Sequence, residues 1–304
     1  MAAEGDVPPG VRPFEPGDEP AIQALIDAAL PVDRFPGVTR QETVHAVSRL
    51  AGDPEGTVVA VEDGLVVGYC TPGHDDITVH PAHRRRGHGR RLIAAALDLV
   101  RSRGLPELIL YGPSDHEAAA GFIDALGFEY RSSLWMFELA PSVDVPEASF
   151  PDTVSVRPYR DPADLAAYVA LANASFADHP RPMHFTEQRV RHVHGLTGFD
   201  PADILLAASR EEPEKLVGWI RTEHEVTEAG ARRGHVLFIG VVPEWRRASL
   251  GQELLRWGIA RMRSAGAEII ELKVEAANDR ALGLYRRAGF EPKVEWPHYS
   301  LPAG

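Results

Sequence analysis

One cysteine, Cys70, is all that the chain carries in 304 residues. An intrachain disulfide is therefore excluded, and nothing requires an oxidising compartment. No His/Asn arrangement accompanies Cys70, so it reads as a buried strand residue and not as a nucleophile. Long hydrophobic runs are missing too: no window approaches the roughly 20 apolar residues that a spanning helix needs. Residues 1–10 (MAAEGDVPPG) have neither the basic start nor the apolar core of a signal peptide. These absences predict a cytoplasmic protein with no membrane partner. Positive charge is also scarce. Against 44 Asp+Glu stand 32 Lys+Arg, a formal net charge of −12. That balance speaks against nucleic acid as a partner, since neutralising phosphates takes a basic face.

What is present fits an ordinary globular enzyme or binding protein: 44% hydrophobic and 25% charged residues. The length exceeds what a single typical core supports, so two domains are expected. One basic island stands out, with Arg84, Arg85, Arg86, Arg90 and Arg91 in eight residues. In an acidic protein it suggests a discrete anionic ligand more than a polyanion. The stretch Val236 to Leu255 (VLFIGVVPEWRRASLGQELL) shows a related device. An apolar strand stops at Val242-Pro243, turns through Arg246-Arg247-Ala248-Ser249-Leu250-Gly251, and opens an amphipathic helix. The orphan N–H groups and the positive dipole end of a helix N-terminus favour an anion there.

The rest of the chain organises itself as a repeat. Val11-Arg12-Pro13-Phe14 returns as Val156-Arg157-Pro158-Tyr159, at an offset of 145. Val79-x-Pro81 returns as Val241-x-Pro243, and Gly127-Phe128 as Gly289-Phe290, both at 162. Three landmarks in the same order imply internal duplication. The growth in offset places an insertion in the second copy ahead of its basic turn, expected in the stretch Pro180 to Asp203. Within the first copy, Ile22, Leu25 and Ile26 mark a helix, and a second helical pattern runs from Arg40 to Leu50. Thr57–Val61 and Leu65–Tyr69 flank an Asp-Gly hairpin turn. The proline-rich stretch 140–153 separates the copies. The expected division is a first domain at 1–139, a linker at 140–153 and a second domain at 154–304.

The first basic turn, Val79-His80-Pro81-Ala82-His83-Arg84-Arg85-Arg86-Gly87-His88-Gly89, is neither a Walker loop nor a completed Rossmann fingerprint. Some 25 residues past each turn comes a buried strand and then a helix ending in Gly-Phe. In the second copy this reads Ile270 to Asn278, Ala281, and Leu284-Tyr285-Arg286-Arg287-Ala288-Gly289-Phe290. Together these motifs resemble the GNAT acetyltransferase superfamily: the Val-x-Pro strand end, the Arg-x-x-Gly-x-Gly turn, and the Asn-x-x-Ala-x-x-Leu-Tyr-x-x-x-Gly-Phe helix.

The resemblance implies an α/β (α+β) fold of two tandem domains. Each would be a mixed, mostly antiparallel sheet flanked by helices, with a splayed strand pair. It implies acetyl-CoA as co-substrate, no metal, and a small-molecule amine as the other partner, in a monomer or homodimer. In the second copy, Ile239, Gly240 and Val241 would meet the pantetheine. Arg246, Arg247, Ala248, Ser249, Leu250 and Gly251 would hold the pyrophosphate, with Asn278 alongside. The first copy offers Val79, Arg84, Arg85, Arg86, Gly87, His88 and Gly89 for the same purpose. Tyr285 occupies the position whose phenol protonates the departing thiolate.

The copies differ where chemistry is concerned. Ile123 and His116 stand where the second copy has Tyr285 and Asn278, while Ser249 replaces the first glycine of the turn. Catalysis is therefore expected in the second copy. The alternative is a non-catalytic acyl-CoA-binding regulator or scaffold. The tandem layout, Asn173–Pro180 and Phe199-Asp200-Pro201 resemble the mycothiol synthase branch. Three acidic positions of that branch align here with His235, Arg181 and Arg40, so the acceptor set is read as Arg40, Arg181 and Glu223. His235 can act as a base near neutral pH. Glu223, His224 and Glu225 are rival bases. Residues His74 to His88 are rich in histidine but lack metal-ligand spacing. His192 and His194 would point apart on a helix and cannot ligate jointly.

Overall fold

Both Val-Arg-Pro segments are short first strands locked to the helix that follows. Arg12 donates to both carboxylate oxygens of Asp18, at 2.7 and 2.8 Å. Arg157 does the same to Asp164, at 2.5 and 2.8 Å. These bidentate pairs hold both carboxyls below the usual carboxylate range. The duplication is thus visible in side-chain function as well as in spacing.

The computed structural model describes residues 8–33, 43–44, 46–47, 50–72, 76–112, 117–179, 183–195, 199–226, 230–246 and 249–304. By backbone proximity the chain forms two units. The first is Met1–Ser133 with Trp296–Gly304, and the second is Leu134–Glu295.

The first unit contains β1 (Val11–Pro13), α1 (Glu19–Asp33), β2 (Val58–Glu62), β3 (Leu65–Thr71), β4 (Asp76–Val79), α2 (His88–Ser102), β5 (Glu107–Tyr111) and α3 (Glu117–Asp124). Of the helix expected from Arg40 to Leu50, residues 43–44, 46–47 and 50 are helical, and Arg40 lies outside the described residues. Strands β1 to β4 form an antiparallel sheet. Strand β5 pairs instead with 298–302, the end of β12 (Glu291–Pro302). Alternation along β2 divides the core: Val58 and Ala60 pack with Leu92, Ile93 and Ala96 of α2, while Val59 packs with Ile22 and Leu25 of α1. Cys70 is fully buried in the α2 layer.

The second unit is built from the latter half of β6 (Glu129–Leu139), then β7 (Val154–Pro158), α4 (Leu165–Ser175), α5 (Glu187–His194), β8 (Ile204–Ser209), β9 (Leu216–Val226), β10 (Arg232–Val241), α6 (Leu250–Ser264), β11 (Ile269–Glu275) and α7 (Asp279–Arg287). Its sheet order is β6-β11-β10-β9-β8-β7, antiparallel except for the β10–β11 pair. Helix α6 covers one face, where Leu250 and Leu254 meet Gly218 and Met262 meets Gly234. Helix α4 covers the other. There Ser175 lies so close to Gly240 that a Cβ at that position would sit 2.4 Å from the Ser175 hydroxyl.

The stretch 140–153 has neither helix nor strand, yet it is tied down. Val143, Val145 and Phe150 pack on the second unit's core, and the Ser149 amide donates to Glu253 at 2.7 Å.

The insertion does not lie at Pro180–Asp203. Ala60 and Ala207 hold equivalent register positions, as do Gly68 and Gly218, and Val79 and Val241. Twelve of the 17 extra residues therefore fall between β9 and β10. The first unit's hairpin closes at the Thr71–Asp76 pair, whereas the second unit's continues past the equivalent Arg221–Phe238 pair to Val226–Arg232. Lengthening both arms of a hairpin adds strand that reads like its surroundings, while the turn-rich 180–203 stretch merely looked longer.

Candidate active site

The second unit's cleft begins where two strands part. Strand β10 runs parallel to β11 from Arg233 to Val236, and no pairing follows beyond Val236–Leu272. A bulge at the same point leaves Leu237 without a partner on β9. Beyond it, the Val242 amide donates to Val217 O at 3.0 Å. Alternation along an antiparallel strand then turns the amide and carbonyl groups of Ile239 and Val241 to the opposite edge, the one β11 has left. An extended ligand could pair with that edge. In the first unit β4 and β5 form no ladder at all among the described residues, so the corresponding edge is open from its start.

At the end of β10 the chain turns into α6. Ser249 sits at the helix N-cap in the left-handed conformation, φ 55°, where the first unit has Gly87 at φ 85°. Ser249 therefore fills a glycine position at a cost of about 1–2 kcal/mol. The Ser249 carbonyl takes the amides of Gln252 and Glu253, at 2.8 and 3.2 Å. The amides of Leu250 and Gly251 have no intrahelical acceptor, as the first turn of a helix dictates, and are oriented for an anion. Arg247 and Ala248 lie outside the described residues.

The first arginine of each turn is held against the protein. Arg246 Nε donates to Val241 O at 2.9 Å, and its other nitrogens reach Asp178 at 2.5 and 2.8 Å and Ser175 O at 3.1 Å. Arg84 repeats the pattern, with Nε to Val79 O at 2.9 Å and both terminal nitrogens on Asp33 at 2.6 and 2.7 Å. Arg246 holds the Asp178 carboxyl well below the usual carboxylate range. Asp33 and Asp178 were not singled out as site residues from sequence, because nothing in a linear reading pairs an acid with an arginine 68 positions away.

In the first unit three further side chains of the turn gather on Glu62 at the end of β2. His83 Nδ1 lies at 2.5 Å, Arg86 Nη1 at 3.1 Å and His88 Nε2 at 3.6 Å. The His83 hydrogen bond leads in holding Glu62 below its ordinary range. His88 is itself pushed down by burial and by Arg91. Two arginines of the basic island, Arg84 and Arg86, are therefore paired with carboxylates of their own protein.

Tyr285, on α7, is buried, and burial raises its phenol well above the ordinary tyrosine range. Its hydroxyl makes no hydrogen bond among the described residues. Such a group stays protonated at neutral pH, the state in which a general acid must start. Asn278 caps α7, its side-chain oxygen accepting from the Ala281 amide at 3.2 Å. The first unit places Ile123 in its core instead, and His116 lies outside the described residues.

His235 stands on the hairpin extension, a segment without a counterpart in the first unit. Its Nε2 is 3.4 Å from Glu225 Oε1 and its Nδ1 is 3.6 Å from Glu271 Oε2. Glu223 is its cross-strand neighbour on β9, hence on the same face. Glu225 and Glu271 are buried carboxylates, and Arg233 forms a short contact with Glu271. Glu271 gave a faint signal in sequence, as a lone acid inside the apolar run Ile269-Ile270-Glu271-Leu272. Arg181, like Arg40, lies outside the described residues. Among the described residues no group of three His, Cys, Asp or Glu side chains is placed to hold a metal ion, and no helix is long and apolar enough to cross a membrane.

The pattern of the acetyltransferase (GNAT) family matches residues 23–128 and again 168–290. A mycothiol acetyltransferase from Thermobispora bispora is 32% identical over 283 residues, covering 90% of this chain and 93% of its own. Among solved structures, a tandem GNAT protein from the clavulanic acid biosynthesis pathway superposes with a TM-score of 0.67 at 20% identity, covering 97% of this chain and 98% of its own. A GCN5-related N-acetyltransferase from Sphaerobacter thermophilus gives 0.64 at 22%, covering 96% and 95%. With both halves matched, a relative aligned over most of its length, and the tandem fold in common, the chain belongs to the acetyltransferase (GNAT) family and is a tandem-domain N-acetyltransferase.

Proposed function

We propose that the second copy, 154–304, transfers an acetyl group from acetyl-CoA to a primary amine of a small molecule by direct attack. The first copy, 1–139, takes no chemical part in this reading, and 140–153 links the two. The observation that carries it is the hairpin extension. It supplies His235, Glu223 and Glu225 to one unit alone, and Tyr285 belongs to that same unit.

In this reading the amides of Ser249, Leu250 and Gly251 hold the pyrophosphate, helped by the dipole of α6. The edge of β10 at Ile239 to Val241 aligns the pantetheine, and Gly240 keeps that strand flush against Ser175. The amine nitrogen attacks the thioester carbonyl while negative charge gathers on the carbonyl oxygen, where a backbone amide of β10 stabilises it. The new C–N bond forms as the C–S bond breaks, and the sulfur leaves with the electron pair. Tyr285 donates a proton to that sulfur. The amine's own proton passes to His235, oriented by Glu225 and Glu271, with Glu223 facing the acceptor. Holding amine and thioester together supplies a further part of the rate. Acceptors of the mycothiol acetyltransferase type belong to this class of small-molecule substrate.

The test is thiol release from acetyl-CoA by the full chain across a panel of primary amines, with the acetylated amine identified by mass. Release that depends on the amine and matches acetylated product is expected. His235→Gln should lower kcat by about 10²-fold or more, as loss of a general base does. Thiol release that is independent of any amine, with no acetylated product, would sink the reading.

A further inference from the structure

We infer that Asp178 is a positioning residue that couples the cofactor turn to the helix carrying Tyr285; the inference rests on the second unit's being the catalytic one. Asp178 lies just past the end of α4 and takes two hydrogen bonds from Arg246. Arg246 in turn grips Val241 O at the end of β10 and Ser175 O at the end of α4. The carboxylate thus fixes the strand end from which the phosphate turn departs. The same Asp178 oxygen, Oδ2, also receives Arg280 Nη1 at 3.5 Å. Arg280 stands in the first turn of α7, a helix of nine residues that carries Tyr285. One carboxylate therefore contacts both the element that would hold the cofactor's phosphates and the element that would protonate its sulfur.

The first unit serves as an internal control. It keeps the clamp, with Arg84 on Val79 O and Asp33, but its counterpart of Arg280 is Ala118, which bears no charge. The arginine that makes this link to the following helix is present only in the unit that has a tyrosine for it to position. The contacts are charge-assisted, and that to Arg246 is bidentate, which sets angle as well as distance. Asp178 and Arg280 are half-exposed, so the pair adds little to global stability. Its effect falls on alignment, where a displacement near 1 Å can change a rate about 10²-fold.

The experiment uses the full chain and two readouts. CoA binding is followed by isothermal titration calorimetry. Turnover is read as thiol release with the best amine of the panel. Asp178→Asn should weaken CoA binding about tenfold and lower kcat about tenfold or more, with a thermal midpoint within a few degrees of the parent. Arg280→Ala should lower kcat while CoA affinity stays within about twofold, because only the helix branch is cut. Asp178→Glu should restore most of both, and Asp33→Asn should alter neither readout. Asp178→Asn with parental affinity and kcat overturns the inference, as does Arg280→Ala with parental kcat. If Asp178→Asn fails to fold, Arg280→Ala decides by itself. A parent chain that binds no CoA overturns the functional reading and this inference with it. CoA binding that is insensitive to Asp178→Asn removes the inference alone.

Discussion

Tyr285→Phe lowers kcat for acetyl transfer by about 10²–10⁴-fold, the range expected on losing a general acid, and leaves folding nearly untouched. The phenol is buried, and its hydroxyl has no hydrogen-bond partner among the described residues. Removing the oxygen therefore orphans no neighbour, and the ring still packs edge-on against Phe290, 6.1 Å away. A stability change within about 0.5 kcal/mol follows. Burial raises the phenol above the ordinary tyrosine range, so it is protonated at working pH. The loss should appear in kcat with little change in CoA affinity, since the proton moves only as the C–S bond breaks. Steady-state kinetics with a chemically slow acceptor, beside a thermal melt, check both halves. Equal loss of activity and stability would mean that Tyr285 is a core residue and nothing more.

A second large effect concerns pH and lies away from the reacting atoms. His194, at the end of α5, is stacked on Phe199 at 3.9 Å and meets Tyr159 edge-on at 5.3 Å. Neither ring nitrogen has a hydrogen bond, and burial together with the nearby Arg221 pushes the imidazole down to about 4. Asp161, 3.5 Å away, opposes the shift without cancelling it. An unfolded chain has an ordinary imidazole near 6.5 that takes up a proton earlier. The unfolded state thus binds more protons between those two values, so stability falls as pH drops from about 6.5 to about 4. The full extent is about 3 kcal/mol, by the linkage of pKa shift to free energy. His194→Phe keeps the stack on Phe199 and removes the titration. Urea unfolding at pH 7 and pH 4.5 should show the parent losing stability that the variant keeps. Parallel losses in the two proteins would contradict this account.

Much of the candidate site is local in sequence. The start of α6 from Ser249 to Gly251 and the helix that Asn278 caps are contiguous stretches whose backbone geometry follows from residue type. Ser249 was legible as an exception because glycine is what its left-handed position favours. Long-range pairing was not legible. Asp178 meets Arg246 only because α4 ends beneath the end of β10, and Glu271 reaches His235 only through the β10–β11 register. The arginines of the motif looked like phosphate ligands, yet Arg84 and Arg246 are held by strand carbonyls and carboxylates. The hairpin extension was misplaced because added strand keeps its period. Nor does alternation along β6 and β12 reveal that 134–139 stands in the second unit and 296–304 in the first, since period two names a face and not a partner.

The equivalence of Gly87 and Ser249 gives the most direct test of where catalysis resides. Both are left-handed N-cap positions, and aspartate tolerates that conformation. Gly87→Asp and Ser249→Asp therefore make the same chemical change in the two copies: a carboxylate where pyrophosphate would bind. The measurement is kcat/KM for acetyl-CoA in amine-dependent thiol release. Ser249→Asp should lower it by about 100-fold or more, from like-charge repulsion inside a partly desolvated turn, while Gly87→Asp leaves it within about threefold. The opposite outcome, with Gly87→Asp abolishing transfer and Ser249→Asp sparing it, would place catalysis in the first unit and contradict the account.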